Sequence, residues 1–178
     1  MKKRGHGVYD LRALIRDVPD FPSPGILFRD ITPLLACPEA FRAAVGAMAD
    51  PWRANPPSKV LGIEARGFLF GGALAHELSA GFVPVRKIGK LPGKTVRASY
   101  GLEYGKDTLE MHCDGCAPGE RVLIADDVLA TGGTAEAAVR LAEELQADIL
   151  GFSFFIELAA LGGRARIAPR TVHSVLVL

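Results

Sequence analysis

Val122 to Thr134 reads VLIADDVLATGGT, and the architecture of the whole chain follows from how this stretch is read. Val122, Leu123, Ile124 and Ala125 form an apolar, partly β-branched run, as expected of a strand buried on both faces of a parallel sheet. Two carboxylates, Asp126 and Asp127, stand at its end. A small turn follows, Ala130-Thr131-Gly132-Gly133-Thr134, and then a helical pattern reaching about Leu145. Ligands of open α/β sheets bind at the C-terminal edge of the strands, and a helix beginning there offers free backbone N–H groups to an anion. Gly132 and Gly133 would let the backbone curl closely around a phosphate, and the two threonines would add hydroxyl donors. Carboxylates beside such a cradle should repel a polyanion unless they serve another group. Ribose hydroxyls or a hydrated Mg²⁺ would give them that purpose.

A strand, a polar turn and a helix without any ligand would share part of this pattern. The stretch is neither a G-x-x-x-x-G-K-[ST] loop nor a G-x-G-x-x-G fingerprint. Its complete form, an apolar strand with Asp-Asp, two apolar residues and Ala-Thr-Gly-Gly-Thr, resembles the phosphoribosyl-pyrophosphate (PRPP) signature of the type I phosphoribosyltransferases. In that family the acids hold ribose hydroxyls and the turn holds the 5′-phosphate.

Working outward, strands and helices alternate. Lys59 to Ile63 (KVLGI) reads as a buried strand, Glu64-Ala65-Arg66-Gly67 as a charged turn opening a helix to about Leu78, and Phe82 to Arg86 as the next strand. Asp148 to Ile156 and Val172 to Leu178 complete the strands after the central motif, with Gly162-Gly163 opening a short basic segment between them. This order calls for an α/β fold, a mainly parallel twisted sheet flanked by helices. Further helices are expected over Tyr9 to Val18, where Leu11, Leu14, Ile15 and Val18 share a helical face, and from Pro38 to Asp50-Pro51. Phe21 to Asp30 (FPSPGILFRD) reads as an ordered loop whose Ile26, Leu27 and Phe28 either plug a core or face a flat ligand. Ile88 to Tyr100 (IGKLPGKTVRASY) breaks every periodicity and reads as a flexible loop. Leu102 to Gly105 and Thr108 to His112 suggest a hairpin.

The chain of 178 residues suits one domain with a sizeable core, and 49% hydrophobic against 23% charged residues argues against disorder. A net charge of +1 provides no global attraction to nucleic acid, so an anion site must be local. The basic start MKKRGHGVYDLRALIRD has no apolar segment behind it, and no run is long enough to cross a bilayer, so a cytoplasmic protein without membrane contact is expected. Cys37, Cys113 and Cys116 are too few for a disulfide framework. Cys113 and Cys116 do form a CxxC beside His112, but no second pair exists to complete a zinc site, which favours a turn with two free thiols.

The resemblance extends over about residues 9–178. PGILFRD, EARGFLFG, VPVRKIGKLPGK, SYGLEYG, the PRPP motif and IELAALGG occur in the order found in the adenine-using members of the family. It implies a single domain with a base-binding hood over about residues 8–36. The implied reaction joins adenine and PRPP into AMP and pyrophosphate, with Mg²⁺ held mainly by PRPP rather than by the protein, and a homodimer as the assembly. By the same resemblance Asp126 and Asp127 hold the ribose, and Ala130, Thr131, Gly132, Gly133 and Thr134 hold the 5′-phosphate. Glu64, Ala65 and Arg66 form the pyrophosphate loop, in which the family often has a cis peptide, here between Glu64 and Ala65. Lys87 and Lys90 reach pyrophosphate. Glu103, followed by Tyr104, is the carboxylate that manages adenine's proton, with Asp127 and Arg66 as the other catalytic groups. Leu27, Phe28 and Arg29 form the adenine pocket, and Leu158 covers the base. Another purine or orotate as acceptor, or a regulator that senses PRPP or purine without catalysis, are the alternatives. The regulator would be expected to carry a DNA-binding segment and a basic patch, neither of which is visible.

Overall fold

The computed structural model describes residues 10–102 and 105–178. Its contacts divide the chain into two compact units, one up to Ala44 and one from Val45 to Leu178.

The first unit holds a two-stranded antiparallel ribbon, β1 (Arg16–Pro19) and β2 (Leu27–Asp30), followed by the short helix α1 (Thr32–Leu35) and the start of α2 (Pro38–Ala49). The helix expected from residue 9 to Val18 is not formed in the described part. A single 3-10 turn, Arg12–Leu14, takes its place and β1 follows. The Asp10 carboxylate accepts the N–H groups of Arg12 and Ala13 and so caps one isolated turn. Beyond it the ribbon wins, because Val18 pairs with Phe28 and Asp17 with Arg29 across the ladder, reinforced by the Arg29–Asp17 ion pair. The apolar spacing of residues 11–18 is compatible with both outcomes, and long-range pairing overrides local propensity. The FPSPGILFRD segment is likewise not all loop, since its last four residues are β2.

The second unit is a seven-stranded sheet in the order β5-β6-β4-β3-β7-β8-β9. Here β3 is Lys59–Ile63, β4 Gly81–Lys87, β5 Thr95–Leu102, β6 Gly105–His112, β7 Arg121–Leu129, β8 Asp148–Glu157 and β9 Val172–Val177. The strands β4, β3, β7, β8 and β9 are mutually parallel, and β6 and β5 add antiparallel strands at one edge. Helix α3 (Gly67–Glu77) connects β3 to β4, and α4 (Gly133–Glu144) connects β7 to β8. Successive β4 side chains show that the helices cover opposite faces. Phe82 meets Gly71 of α3, whereas Val83 and Val85 join the core that contains Ala135, Ala138 and Leu141 of α4. Gly62 is glycine for the same reason: a Cβ there would lie 2.5 Å from the Phe82 ring.

Two boundaries differ from the sequence reading. The segment from Ile88 to Tyr100 is irregular only up to Lys94, because Thr95–Leu102 is β5, paired residue for residue with β6. Val96, Ala98 and Tyr100 are buried in alternation, a period of two hidden among Gly, Lys, Pro and Arg. The hairpin is therefore Thr95–Leu102 with Gly105–His112 rather than two shorter strands. In addition, β7 does not stop before the carboxylates. It continues through Asp126 and Asp127 to Leu129, which pairs with Glu157.

Candidate active site

The first connection from β3 runs to β4 on one side, while β7 lies on the other side of β3. The C-terminal ends of β3 and β7 therefore flank the point at which the strand order reverses, the crevice where doubly wound sheets place ligands. β3 delivers Glu64-Ala65-Arg66 there and β7 delivers Asp126-Asp127 and the Gly-Gly turn.

The two loops touch. Arg66 Nε lies 2.8 Å from Asp127 Oδ2, a half-exposed cation against a nearly buried carboxylate. The contact is ionic and not aligned as a hydrogen bond, which leaves Asp127 Oδ2 without a hydrogen-bond donor. Gly67, the first residue of α3, is pressed against Asp126 so closely that a Cβ would lie 2.5 Å from its Oδ1 and 3.1 Å from its Cα. That Oδ1 accepts the Asp127 N–H at 2.8 Å. Burial, and then the charge of Asp127, hold the Asp126 carboxyl well above the ordinary aspartate range. Of the two acids Asp127 is the one facing a cation, while Asp126 is committed to the junction between the loops. The peptide between Glu64 and Ala65 is cis, as the resemblance implied.

The anion cradle begins with Gly132, at φ 80° in the left-handed region, preceding α4 with no side chain capping the helix. The strict need for glycine lies here, because a Gly132 Cβ would also meet the Gly163 carbonyl at 2.8 Å. A Cβ on Gly133 would meet its nearest neighbours, Arg166 and Tyr100, at an ordinary 3.4 Å. The first N–H groups of α4 carry the positive end of the helix dipole at the turn. A small cleft lined by Asp126, Thr131, Gly132, Thr134 and Phe154 opens beside it. Leu158 sits alongside, its N–H donating to the Leu129 carbonyl at 2.9 Å. A larger surface hollow, lined by Pro92–Lys94 and His112–Asp114, shares no residue with this cleft.

Lys87 and Lys90 join the site through Glu64. The Glu64 carboxylate accepts the Lys87 N–H at 2.7 Å and the Arg86 Nε–H at 3.0 Å, and lies 3.0 Å from Lys90 Nζ. Burial alone would raise this carboxyl; the three donors outweigh it and hold the group below the ordinary glutamate value. Glu110, also buried, accepts the N–H groups of Lys90 and Leu91, both at 3.0 Å, and so fixes the turn carrying Lys90. Sequence reasoning placed Gly67 in the charged turn without its contact to Asp126, and did not find Glu110, Arg86, Tyr100 or Asp107, all of which shape this region. The alternation in TVRASY was the available signal for Tyr100; a buried glutamate within TLEMH has none.

In the other unit, Leu27, Phe28 and Arg29 form most of β2. Phe28 meets Phe21 edge-on, with ring centroids 5.1 Å apart, and Phe21, Ile26 and Leu27 are about half exposed instead of plugging a core. Glu103 and Tyr104 lie outside the described residues.

Residues 34–172 match the model of the phosphoribosyl transferase domain, more than half of the chain. The chain is 57% identical over 164 residues to the adenine phosphoribosyltransferase of Bradyrhizobium diazoefficiens, covering 92% of each. The chain belongs to the adenine phosphoribosyltransferase family. The Rhodopirellula baltica enzyme of that name is 59% identical over 167 residues, 94% of this chain and 81% of its own length. Among solved structures, adenine phosphoribosyltransferase from Rhodothermus marinus superposes with a TM-score of 0.90 at 57% identity, covering 94% of this chain and 96% of its own. The Saccharomyces cerevisiae enzyme, solved with an imino-altritol bisphosphate and adenine, gives 0.88 at 40% identity, with 93% and 96% covered. As a member of that family the chain is an enzyme, and its α/β architecture is shared with these relatives. No helix among the described residues is long and apolar enough to cross a membrane.

Proposed function

We propose that the chain transfers the 5-phosphoribosyl group of PRPP to N9 of adenine, giving AMP and pyrophosphate, and that the switch-point crevice performs the transfer. The observation that carries this is the Arg66–Asp127 contact, which sets a phosphate-binding guanidinium beside a ribose-binding carboxylate where two loops of the sheet meet. The 5′-phosphate is taken by the turn from Ala130 to Thr134 and the start of α4, the ribose hydroxyls by Asp127, and the pyrophosphate by Arg66, Lys87 and Lys90. Asp126 acts mainly by fixing Asp127.

As the C1′–pyrophosphate bond breaks, negative charge grows on the leaving group and positive charge on the ribose. The cations at one end and the Asp127 carboxylate near the ring answer those two charges, so positioning and electrostatics do most of the work. Glu103, by family resemblance, receives the proton that adenine gives up. Leu27, Phe28 and Arg29 take the base, with Phe28 as the stacking surface and backbone groups of β2 reading its edge. A carbonyl facing the 6-amino group and an N–H facing N1 would reject 6-oxopurines, which present the opposite pattern.

Among the described residues no group of three or more His, Cys, Asp or Glu side chains is arranged as a metal cage. The Asp127 carboxylate suits a hard cation that arrives on substrate phosphates and retains several waters. Mg²⁺ bound that way would neutralise the pyrophosphate. The test is adenine-dependent release of pyrophosphate from PRPP by the purified protein. Adenine should be consumed, and hypoxanthine and guanine left nearly untouched; comparable turnover of hypoxanthine would overturn the proposal.

A further inference from the structure

Lys87 ends β4, and its side chain is not free to roam. Its Nζ lies 2.9 Å from Asp107 Oδ2, on the second strand of the β5–β6 hairpin. Asp107 is itself held twice: its Oδ1 accepts the Thr108 N–H at 2.9 Å, and its Oδ2 accepts the Tyr100 hydroxyl at 3.1 Å. Tyr100 and Asp107 are direct partners across the hairpin, so the ladder sets their separation. The Tyr100 ring is buried and reaches the anion turn, with its Cδ2 3.4 Å from where a Gly133 Cβ would stand. The Thr134 side chain stands near the same phenol. An unbroken line of contacts therefore runs Lys87, Asp107, Tyr100 and then Gly133. It joins the residue proposed to grip pyrophosphate to the turn proposed to grip the 5′-phosphate.

We propose that Asp107 and Tyr100 are positioning residues for this transfer, holding the Lys87 ammonium toward pyrophosphate and fixing its distance from the 5′-phosphate turn. The proposal rests on the assignment of Lys87 to pyrophosphate made above. A lysine is a point charge on a flexible stem, and aiming one costs side-chain entropy that is lost at binding unless it is lost beforehand. Asp107 takes only one of the three N–H donors of the ammonium, leaving the others for phosphate oxygens. Tyr100 keeps Asp107 from following the cation when the substrate arrives. Burial, together with the charge of Asp107, raises the Tyr100 hydroxyl above the ordinary tyrosine value, so it remains a donor. Within this hairpin the task falls to Asp107 because Glu110 is already occupied by the Lys90 and Leu91 N–H groups and the Thr95 hydroxyl.

Asp107→Asn and Tyr100→Phe keep volume and packing, so steady-state kinetics can separate positioning from folding. Asp107→Asn should raise the KM for PRPP about tenfold and Tyr100→Phe about threefold, with kcat and the KM for adenine changed less than about twofold, as expected when binding common to ground and transition states is lost. Melting temperatures should match the parent. In a Lys87→Met background Asp107→Asn should add less than about twofold, because the two residues act through one contact. An unchanged PRPP KM in Asp107→Asn overturns the proposal. So does a lowered one, which would make Asp107 a competitor for the ammonium, and so does a full effect that persists without Lys87. If Lys87→Met alone leaves PRPP use intact, the assignment of Lys87 falls and this proposal with it. If Lys87→Met is impaired while Asp107→Asn is silent, only the positioning role falls.

Discussion

Gly67→Ala puts the junction of the two phosphate loops under direct strain, and its cost can be worked from the structure. In an exposed helix the change would stabilise by about 0.5–1 kcal/mol, since alanine has less backbone entropy to lose. Here the new Cβ would stand 2.5 Å from Asp126 Oδ1 and 3.1 Å from Asp126 Cα. The first contact cannot persist, and the second involves backbone of a strand paired on both sides. Overpacking of this kind costs about 1–3 kcal/mol. The clash outweighs the helix gain, for a net loss of about 1–2 kcal/mol. At about 2–4 °C per kcal/mol for a chain of this size, the melting temperature should fall by about 2–8 °C. Asp126 can yield only by moving β7, which carries Asp127 away from Arg66, so kcat/KM for PRPP should fall by about tenfold or more. Thermal unfolding and PRPP kinetics are the two assays. Gly72→Ala is the control, in the same helix with nothing within 4 Å of the added atom, and it should be neutral or slightly stabilising. A Gly67→Ala protein that melts with the parent and uses PRPP normally would refute the idea that close approach at Asp126 organises the site.

Gly132→Ala should damage PRPP binding more than Gly133→Ala, since only Gly132 combines positive φ with a 2.8 Å clash; equal affinities in the two variants would misplace the cradle. Asp126→Asn should become increasingly favourable relative to the parent as pH rises above about 4, the ordinary aspartate value. With a folded-state pKa raised by burial and by Asp127, the contribution of Asp126 is full below the unfolded value and lost as pH rises through the folded one. Urea unfolding at several pH values checks this, and a pH-independent difference would mean that Asp126 titrates normally. Glu103→Gln should bind both substrates nearly as the parent does yet lose most of kcat, because the carboxylate acts when adenine's proton must move; an unchanged kcat would remove Glu103 from the catalytic set.

The parts of the fold legible in the sequence are those in which local pattern and tertiary environment agree. VLIA and KVLGI are apolar because both faces of β7 and β3 are covered, and that requirement is visible without coordinates. Residues 11–18 were illegible because their spacing suits a helix and a strand equally, and the arbiter is β2, ten residues downstream. TVRASYGL was obscured because its outward positions are Thr95, Arg97 and Ser99, so only Val96, Ala98 and Tyr100 report the strand. In the candidate site, the groups proposed to touch substrate were readable as motifs. The groups that hold them were not. Glu110, Asp107 and Gly67 owe their importance to what lies across the ladder or loop from them, and no spacing in the chain encodes that neighbour.

On the proposed chemistry, each of the three cations is already paired with a carboxylate, Arg66 with Asp127, Lys87 with Asp107 and Lys90 with Glu64. Partly exposed pairs of this kind contribute only about 0–1 kcal/mol, so exchanging one for a pyrophosphate costs little on the cation's side. The cost lies with the carboxylate left behind. Glu64 would keep the Lys87 N–H and Arg86, and Asp107 would keep Tyr100, the Thr108 N–H and one N–H of the Lys87 ammonium. Asp127 Oδ2 has no hydrogen-bond donor to retain and would be stranded in a nearly buried position when Arg66 turned to phosphate. Ribose hydroxyls are the donors that would relieve it. PRPP brings both groups at once, whereas pyrophosphate brings only the competitor for Arg66. Asp127→Asn should therefore weaken PRPP strongly while weakening pyrophosphate little or even tightening it, since the Asp127 charge no longer competes for Arg66. Calorimetric titration of the two ligands into both proteins measures this directly. Equal losses for PRPP and pyrophosphate would show that Asp127 serves to hold Arg66 and not to receive the ribose.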